Sequence, residues 1–250
     1  MSMKHPYDVA ILCGGSGTRL REVIDDRQKC VADVDGLPFL IHLIMHVSAQ
    51  GFHRFVLCAG HKAETVSSAI KTLPPELTTV IVNEPTLRGT GGAIRNALPY
   101  ILSDAFIALN GDSFCPVDLN AVAAFHEGKK AEATVVLSHA DGRGDCGNVA
   151  ISADCAITSF AEKESSSQWV NAGIYLFSKA CASQFPMRTP LSLEKDVFHK
   201  FVGKGLFGYT TDQALLDIGT PDRYAKAAAF MRQSPPTDTR HPVMPPSKDL

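Results

Sequence analysis

The apolar positions of this chain fall into two kinds of run. One kind is short, continuous and β-branched: "YDVAIL" at 7–12, "HRFVLCAG" at 53–60, "TTVIVN" at 78–83 and "AFIALNGD" at 105–112. The other is longer and mixes polar residues in at helical spacing. It comprises "PFLIHLIMHVSAQG" at 38–51, "KAETVSSAIKTL" at 62–73 and "GTGGAIRNALPYIL" at 89–102. Pro38 suits a helix start and Gly51 a helix stop. Strands without polar alternation must be covered on both faces, so strands and helices in alternation predict a parallel sheet between two helical layers.

The pattern changes after Lys130. "ATVVLSHA", "NVAISAD", "AITSFAEK" and "NAGIYLFS" follow one another with little helix between them. They predict further strands, partly antiparallel, that extend the same sheet. "SLEKDVFHKFVGKG" at 192–205 predicts a helix capped by Ser192, with Lys195 where a capping box would place Glu, and Glu194 favourable in the first turn. "DIGTPDRYAKAAAFMRQ" at 217–233 predicts a last helix entered through Pro221. From Ser234 the tail is polar and proline-rich and is expected to be flexible. No internal repeat is visible.

Composition narrows the class. With 250 residues, 45% of them hydrophobic, the chain can bury a substantial core. A net charge of -2 argues against a general nucleic-acid binder, while leaving local cations free to serve a small anion. Seven cysteines, an odd count with none in a CxxC pair, lack metal-ligand spacing and argue against a full disulfide framework. The N-terminus lacks the apolar run of a signal peptide, and no apolar stretch reaches membrane-spanning length. A soluble cytoplasmic protein without membrane partners is therefore expected. Its oligomeric state stays open, a homo-oligomer included.

The first strand breaks into "CGGSGTRL". In an open parallel sheet, ligands bind beyond the carboxyl ends of the strands. Gly14, Gly15 and Gly17 let the main chain approach a ligand, and successive free N–H groups there form an anion-binding concavity. Arg19 can supply a forked donor to phosphate and Lys29, ten positions on, a point charge. A dinucleotide fingerprint would need a third glycine where Leu20 stands. A P-loop would need a Lys-Ser/Thr pair where Thr18-Arg19 stands. A glycine-rich turn with no ligand is the remaining alternative, and the following cations tilt the reading towards phosphate.

"GGSGTRL" with its later lysine resembles the signature of the sugar-phosphate nucleotidyltransferases, GGxGTRLxPLTxxxPKP. The resemblance runs from Val9 to about Tyr224 through "GTGGA", "NGD", "EK", "NAGIY" and "DIGTP". It implies a Rossmann-like three-layer α/β/α fold with a mixed, mostly parallel central sheet. It also implies one domain over 1–232, its nucleotide part about 7–115 and its sugar part about 116–232, followed by the tail at 233–250. The nucleotide is expected against Leu12, Cys13, Gly14, Gly15, Gly17, Thr18, Glu84, Gly89, Thr90 and Gly91. Catalysis falls to Arg19 at the departing pyrophosphate, Lys29 at the reacting phosphate, and Lys163 at the sugar phosphate. Asp112 and Asp217, both read at strand-to-helix junctions, are expected to share Mg²⁺, which takes one or two carboxylates plus phosphate oxygens. The sugar is expected against Gly111, Gly147, Glu162, Asn171 and Glu194.

The implied reaction joins a sugar 1-phosphate to the α-phosphate of a nucleoside triphosphate and releases pyrophosphate. "SLEKD" resembles the heptose 1-phosphate branch, which implies D-glycero-α-D-manno-heptose 1-phosphate as acceptor and GTP as donor. Mannose, glucose or N-acetylhexosamine 1-phosphates with GTP, UTP or dTTP are the runners-up. Three departures stand out. Gln28 and Cys30 replace the two prolines around the lysine, "REVIDD" replaces the PLT segment, and Arg88 stands where relatives carry a small apolar residue. A catalytically silent sensor of the same fold is the alternative that these departures support. A nicotinamide-dependent oxidoreductase ranks last, because the second strand ends in "CAGHK" with no acidic residue. His42 and His46 sit one helical turn apart with no third metal ligand in view, so packing is the favoured role for them.

Overall fold

In strand β1 (Asp8–Leu12), Val9 and Ile11 enter one hydrophobic cluster, while Ala10 and Leu12 enter another on the opposite face. Successive side chains of a strand point to opposite faces, so a strand buried on both sides must be apolar throughout. Strands β4 (Arg54–Ala59) and β6 (Ala105–Asn110) repeat the arrangement. Phe55, Leu57, Ile107 and Leu109 face the first cluster, whereas Val56, Cys58, Phe106 and Ala108 face the second. The coordinates are a computed structural model that describes residues 5–15, 27–140, 148–161 and 168–233.

The first cluster is closed by helices α1 (Phe39–Ser48) and, later in the chain, α4 (Leu119–Lys129) and α8 (Ala227–Gln233). The second is closed by α3 (Gly89–Ala97), α5 (Lys179–Ser183) and α6 (Phe198–Phe201). The result is three layers, with helices on both sides of a mixed sheet. A short hairpin, β2 (Asp33–Val34) with β3 (Leu37–Pro38), leads into α1. Helix α2 (Ala63–Ala69) and strand β5 (Thr78–Asn83) complete the first half.

The central sheet runs β10 (Ile157–Ala161), β9 (Asn148–Ile151), β11 (Trp169–Ser178), β6, β1, β4, β5, and off that path β8 (Ala133–His139) pairs with β11 while β12 (Leu206–Thr210) pairs with β8. Strands β6, β1, β4 and β5 are mutually parallel. The second half supplies β8, β9, β10, β11 and β12. Strand β11 runs antiparallel to β6, β8 and β9, whereas β12 runs parallel to β8. The parallel block and the antiparallel extension expected from the pattern are thus one sheet.

Two expectations change. The segment from Ser192 is not one helix: a π turn at Leu193–Val197 passes into the short α6. Ser192 Oγ accepts the Lys195 N–H, and the reciprocal carboxylate comes from Asp196, which accepts the Ser192 N–H at 2.8 Å. With lysine at the third position, the capping carboxylate sits one residue later, and the first turn widens to accommodate it. The last helix is also two, α7 (Pro221–Ala225) and α8, divided at Lys226.

Strand β11 contains a register shift against β8 between Asn171 and Tyr175. Gly173 lies inside it with φ +73, a conformation that favours glycine. Its N–H donates to Asn171 Oδ1 at 2.9 Å, so the bulge aims the asparagine. A Cβ at Gly173 would stand 2.7 Å from Asn110 Nδ2 and 3.0 Å from Asn110 Cβ. Gly173→Ala is expected to cost roughly 2–3 kcal/mol through strain and overpacking, read as a lower urea midpoint at unchanged m-value.

Candidate active site

The lysine of the glycine-loop motif is held without prolines. Lys29 opens a 3₁₀ turn, Lys29–Val31, in which Cys30 and Val31 are buried. Gln28, itself buried, has φ -64, the value that a proline ring would impose, with an extended ψ of 144. Two hydrogen bonds fix it there: its N–H donates to Thr65 Oγ1 at 3.3 Å, and its side-chain amide donates to the His61 carbonyl. Cys30 packs under Gly111, where a Cβ would meet Cys30 Cβ at 3.3 Å and the Leu12 carbonyl at 2.8 Å. Gly111 is therefore required by the close approach of β1 and the lysine turn. The Cys13 thiol is kept protonated by its hydrogen bond with Cys30 and by burial. The six cysteines among the described residues are free thiols.

Asp112 and Asp217 are brought together by a two-residue ladder. Strand β7 (Ser113–Phe114) pairs antiparallel with β13 (Leu216–Asp217), placing Asp217 opposite Ser113. The Ile218 N–H donates to the Asp112 carbonyl at 3.0 Å. Asp217 ends β13 just before α7 (Pro221–Ala225), a strand-to-helix junction as expected, whereas Asp112 lies between two strands, β6 and β7, and that half of the expectation is corrected. A ladder this short leaves little trace in the sequence beyond Phe114 after one aspartate and Leu215-Leu216 before the other.

Lys29 Nζ stands 2.6 Å from Asp112 Oδ2 and 3.9 Å from Asp217 Oδ1. Asp217 Oδ1 also accepts the Gly219 N–H at 2.5 Å, and its Oδ2 accepts from Arg223 Nη1 at 2.6 Å. Arg223 belongs to the first turn of α7, which Thr220 caps by accepting the Arg223 N–H. It is the cation that sequence reading missed. The signal was present in "DIGTPDRY", which puts an arginine within helical reach of the aspartate.

These residues satisfy a simple test for a divalent cation. Two carboxylates already flank one positive charge, and both offer the hard oxygen donors that Mg²⁺ prefers. Among the described residues no third His, Cys, Asp or Glu joins them. The rest of a coordination shell there would have to come from water or a phosphate-bearing ligand. His42 and His46 are accounted for otherwise: His42 Nε2 lies 2.8 Å from the Val34 carbonyl, and His46 pairs with Gln50 at 3.1 Å. Burial lowers the His46 pKa to about 4.

Of the residues expected at the nucleotide, Leu12 ends β1, Cys13, Gly14 and Gly15 follow it, and Glu84 follows β5. Glu84 is 5% exposed, and its Oε1 has no hydrogen-bond partner among the described residues. It lies against Gly14, where a Cβ would come within 3.3 Å of Glu84 Oε2. Burial raises its pKa to about 7, opposed in part by the charge of Arg88. The glycines of α3 serve packing first. The Gly91 and Gly92 N–H groups donate to the Leu191 carbonyl at 2.8 and 3.2 Å, and a Cβ at Gly89 would strike that carbonyl oxygen at 2.5 Å. The Gly91 N–H is thus already engaged within the protein.

Thr90 turns towards Glu194, a residue expected at the sugar. Its Oγ1 accepts the Leu193 N–H at 2.8 Å and donates to Glu194 Oε2 at 3.4 Å. Glu194 Oε2 also accepts from Ser192 Oγ at 2.9 Å, and Oε1 accepts from the Tyr175 hydroxyl at 3.2 Å. That hydroxyl accepts in turn from Asn171 Nδ2 at 2.9 Å. Asn171 and Glu194 are therefore joined through Tyr175, a fully buried phenol that sequence reading passed over. Burial, followed by the Glu194 charge, pushes its pKa well above the usual range. Gly17, Thr18, Arg19, Gly147, Glu162 and Lys163 lie outside the described residues.

A Rossmann-like sheet that gathers a lysine and two carboxylates beyond the ends of its parallel strands defines a nucleotidyl-transferring α/β enzyme. The chain belongs to the Nucleotidyl transferase family, whose model matches residues 9–234. It is 31% identical over 222 residues to a D-glycero-alpha-D-manno-heptose 1-phosphate guanylyltransferase of Aneurinibacillus thermoaerophilus, covering 88% of this chain and 96% of that one. A Mannose-1-phosphate guanylyltransferase of Mycobacterium tuberculosis is 28% identical over 90% of this chain, which spans 64% of that protein's length. The crystal structure of HddC from Yersinia pseudotuberculosis complexed with GMP-PN superposes with a TM-score of 0.78 at 32% identity, covering 89% of this chain and 98% of that one.

Proposed function

We propose that this enzyme is a sugar-1-phosphate guanylyltransferase that uses GTP and D-glycero-α-D-manno-heptose 1-phosphate. The observation that carries the base assignment is Glu84, a buried carboxylate with an unpartnered oxygen at the edge of the glycine loop. A carboxylate accepts only, and guanine offers it two adjacent donors, N1–H and the 2-amino group. Uracil and thymine place a single N–H between two acceptor carbonyls and would meet it with repulsion. The heptose assignment draws on the relative that is 31% identical and of nearly equal length. The longer mannose 1-phosphate relative supports mannose 1-phosphate as the second reading.

A phosphate oxygen of the sugar 1-phosphate attacks the α-phosphorus of GTP. A new P–O bond forms, the bond from the α-phosphorus to the α,β-bridging oxygen breaks, and pyrophosphate leaves with the electron pair. The nucleophile is an anion at neutral pH, so no side chain has to remove a proton. The chain's part is to hold two polyanions together and to neutralise charge that moves to the leaving group. Lys29, Arg223 and, by resemblance, Arg19 and Lys163 supply that charge. A magnesium ion held by Asp112 and Asp217 would supply Lewis-acid neutralisation of the triphosphate.

The test is pyrophosphate release measured with four nucleoside triphosphates against a panel of sugar 1-phosphates in Mg²⁺. Turnover is expected to be fastest with GTP and the manno-configured heptose phosphate. Nucleotide binding without turnover on any sugar phosphate would replace this reading with that of a silent sensor.

A further inference from the structure

Two buried polar atoms of opposite kind stand unpartnered on the same turn. Glu84 Oε1 is an acceptor and Arg88 Nε a donor, and neither has a hydrogen bond among the described residues. The two side chains nevertheless feel each other, since the Arg88 charge opposes the rise in the Glu84 pKa. Buried polar groups are almost always satisfied, so a complementary pair left open beside a ligand-approaching loop calls for a ligand that answers both.

The backbone at this point is built for a fixed presentation. Arg88 is the N-cap of α3, and its carbonyl accepts the Leu191 N–H at 2.8 Å. A Cβ at Gly92 would stand 2.9 Å from Arg88 Cβ, so the glycine makes room for the arginine stem against the helix. The family's small apolar residue would have no guanidinium to present here.

We propose that Arg88 is a specificity-determining residue that completes a guanine-reading pair with Glu84. This rests on the guanylyltransferase reading above. Guanine alone among the four bases shows donor, donor and acceptor in a row on its Watson–Crick edge: the 2-amino group, N1–H and O6. Glu84 takes the two donors, and the Arg88 guanidinium donates to O6. One turn of chain, residues 84–88, then reads the whole edge.

The experiment is calorimetric binding of GTP, ITP and 6-thio-GTP to the wild-type protein, Arg88→Leu and Arg88→Lys. ITP lacks the 2-amino group, and 6-thio-GTP weakens the O6 acceptor while keeping both donors. Wild type is expected to bind 6-thio-GTP roughly 10-fold or more weakly than GTP, as for a lost bond to a charged donor. Arg88→Leu should bind both equally, at the weaker level, while keeping the penalty against ITP. Arg88→Lys, which keeps the charge, should recover part of the preference for GTP, and its melting temperature reports on folding. Equal loss of GTP and 6-thio-GTP affinity in Arg88→Leu, with their ratio unchanged, would show that Arg88 does not touch O6 and would overturn the proposal. Wild type binding UTP or ATP as tightly as GTP would instead defeat the guanylyltransferase reading itself.

Discussion

Lys29→Met is expected to lower kcat for nucleotidyl transfer by ~10²–10³-fold, the usual consequence of removing one fixed donor from charge that develops in a transition state. The ammonium lies within 4 Å of both Asp112 and Asp217, so it does two jobs at once. It offsets repulsion between the two carboxylates, and on the proposed function it presents positive charge to the triphosphate. Methionine keeps the volume of the stem and removes the charge. Its effect should therefore fall on kcat, with a KM for GTP changed far less. Lys29→Arg separates the two jobs, because it restores the ion pairs while changing where the charge sits. A variant Lys29→Met that turned over within about threefold of wild type would remove lysine from the mechanism and leave Arg223 as the described cation to consider. Steady-state pyrophosphate release at saturating sugar phosphate decides between them.

The sheet was legible because its strands are buried on both faces, and burial of that kind leaves continuous apolar runs such as 105–109 that resemble nothing else. The sequence motifs named Lys29, Asp112 and Asp217 separately, and the fold brings these three side chains together. What stayed hidden depends on partners remote in sequence. Strand β12 pairs with β8 across more than sixty residues, and "LFGYT" carries no signal of that pairing by itself. Tyr175 reads as one more apolar strand residue until Asn171 and Glu194 are seen on its hydroxyl. Gln28 reads as a defect in the motif until its proline-like φ and its bond to the His61 carbonyl are seen. The departure most open to misreading was therefore a substitution of one anchoring device for another. A rigid dihedral can come from a ring or from two hydrogen bonds.

Glu84→Gln is the second change expected to have a large effect, and it separates base recognition from stability. On the proposed reading the carboxylate accepts two hydrogen bonds from guanine, whereas glutamine would have to turn its own N–H₂ towards one of those donors. Each bond to a charged acceptor is worth about 1.5–3 kcal/mol, so kcat/KM for GTP should fall ~10²-fold. The amide pairs naturally with an N–H beside a carbonyl, so UTP should improve at the same time. The pH profile provides an independent check. In the free protein burial lifts the Glu84 pKa from 4.5 to about 7, with Arg88 and Cys58 the neighbouring groups that feel its charge. If guanine takes the ionised form, as proposed, GTP affinity should rise with pH through about 7 and then level off. In Glu84→Gln that rise should be absent. Stability runs the other way. Between pH 4.5 and 7 the native state holds a proton that the unfolded chain has lost, so unfolding free energy falls as pH rises across that window. The total is on the order of 3 kcal/mol, reached above pH 7 and absent in the variant. Glu84→Gln should therefore be harder to unfold in urea at pH 8 than the wild type, although it binds GTP worse. A variant that is both less stable at pH 8 and unchanged in GTP affinity would return Glu84 to a purely structural role. The opposite pair of results is what a buried carboxylate kept for a ligand requires, since its desolvation is offset only when guanine supplies the missing donors.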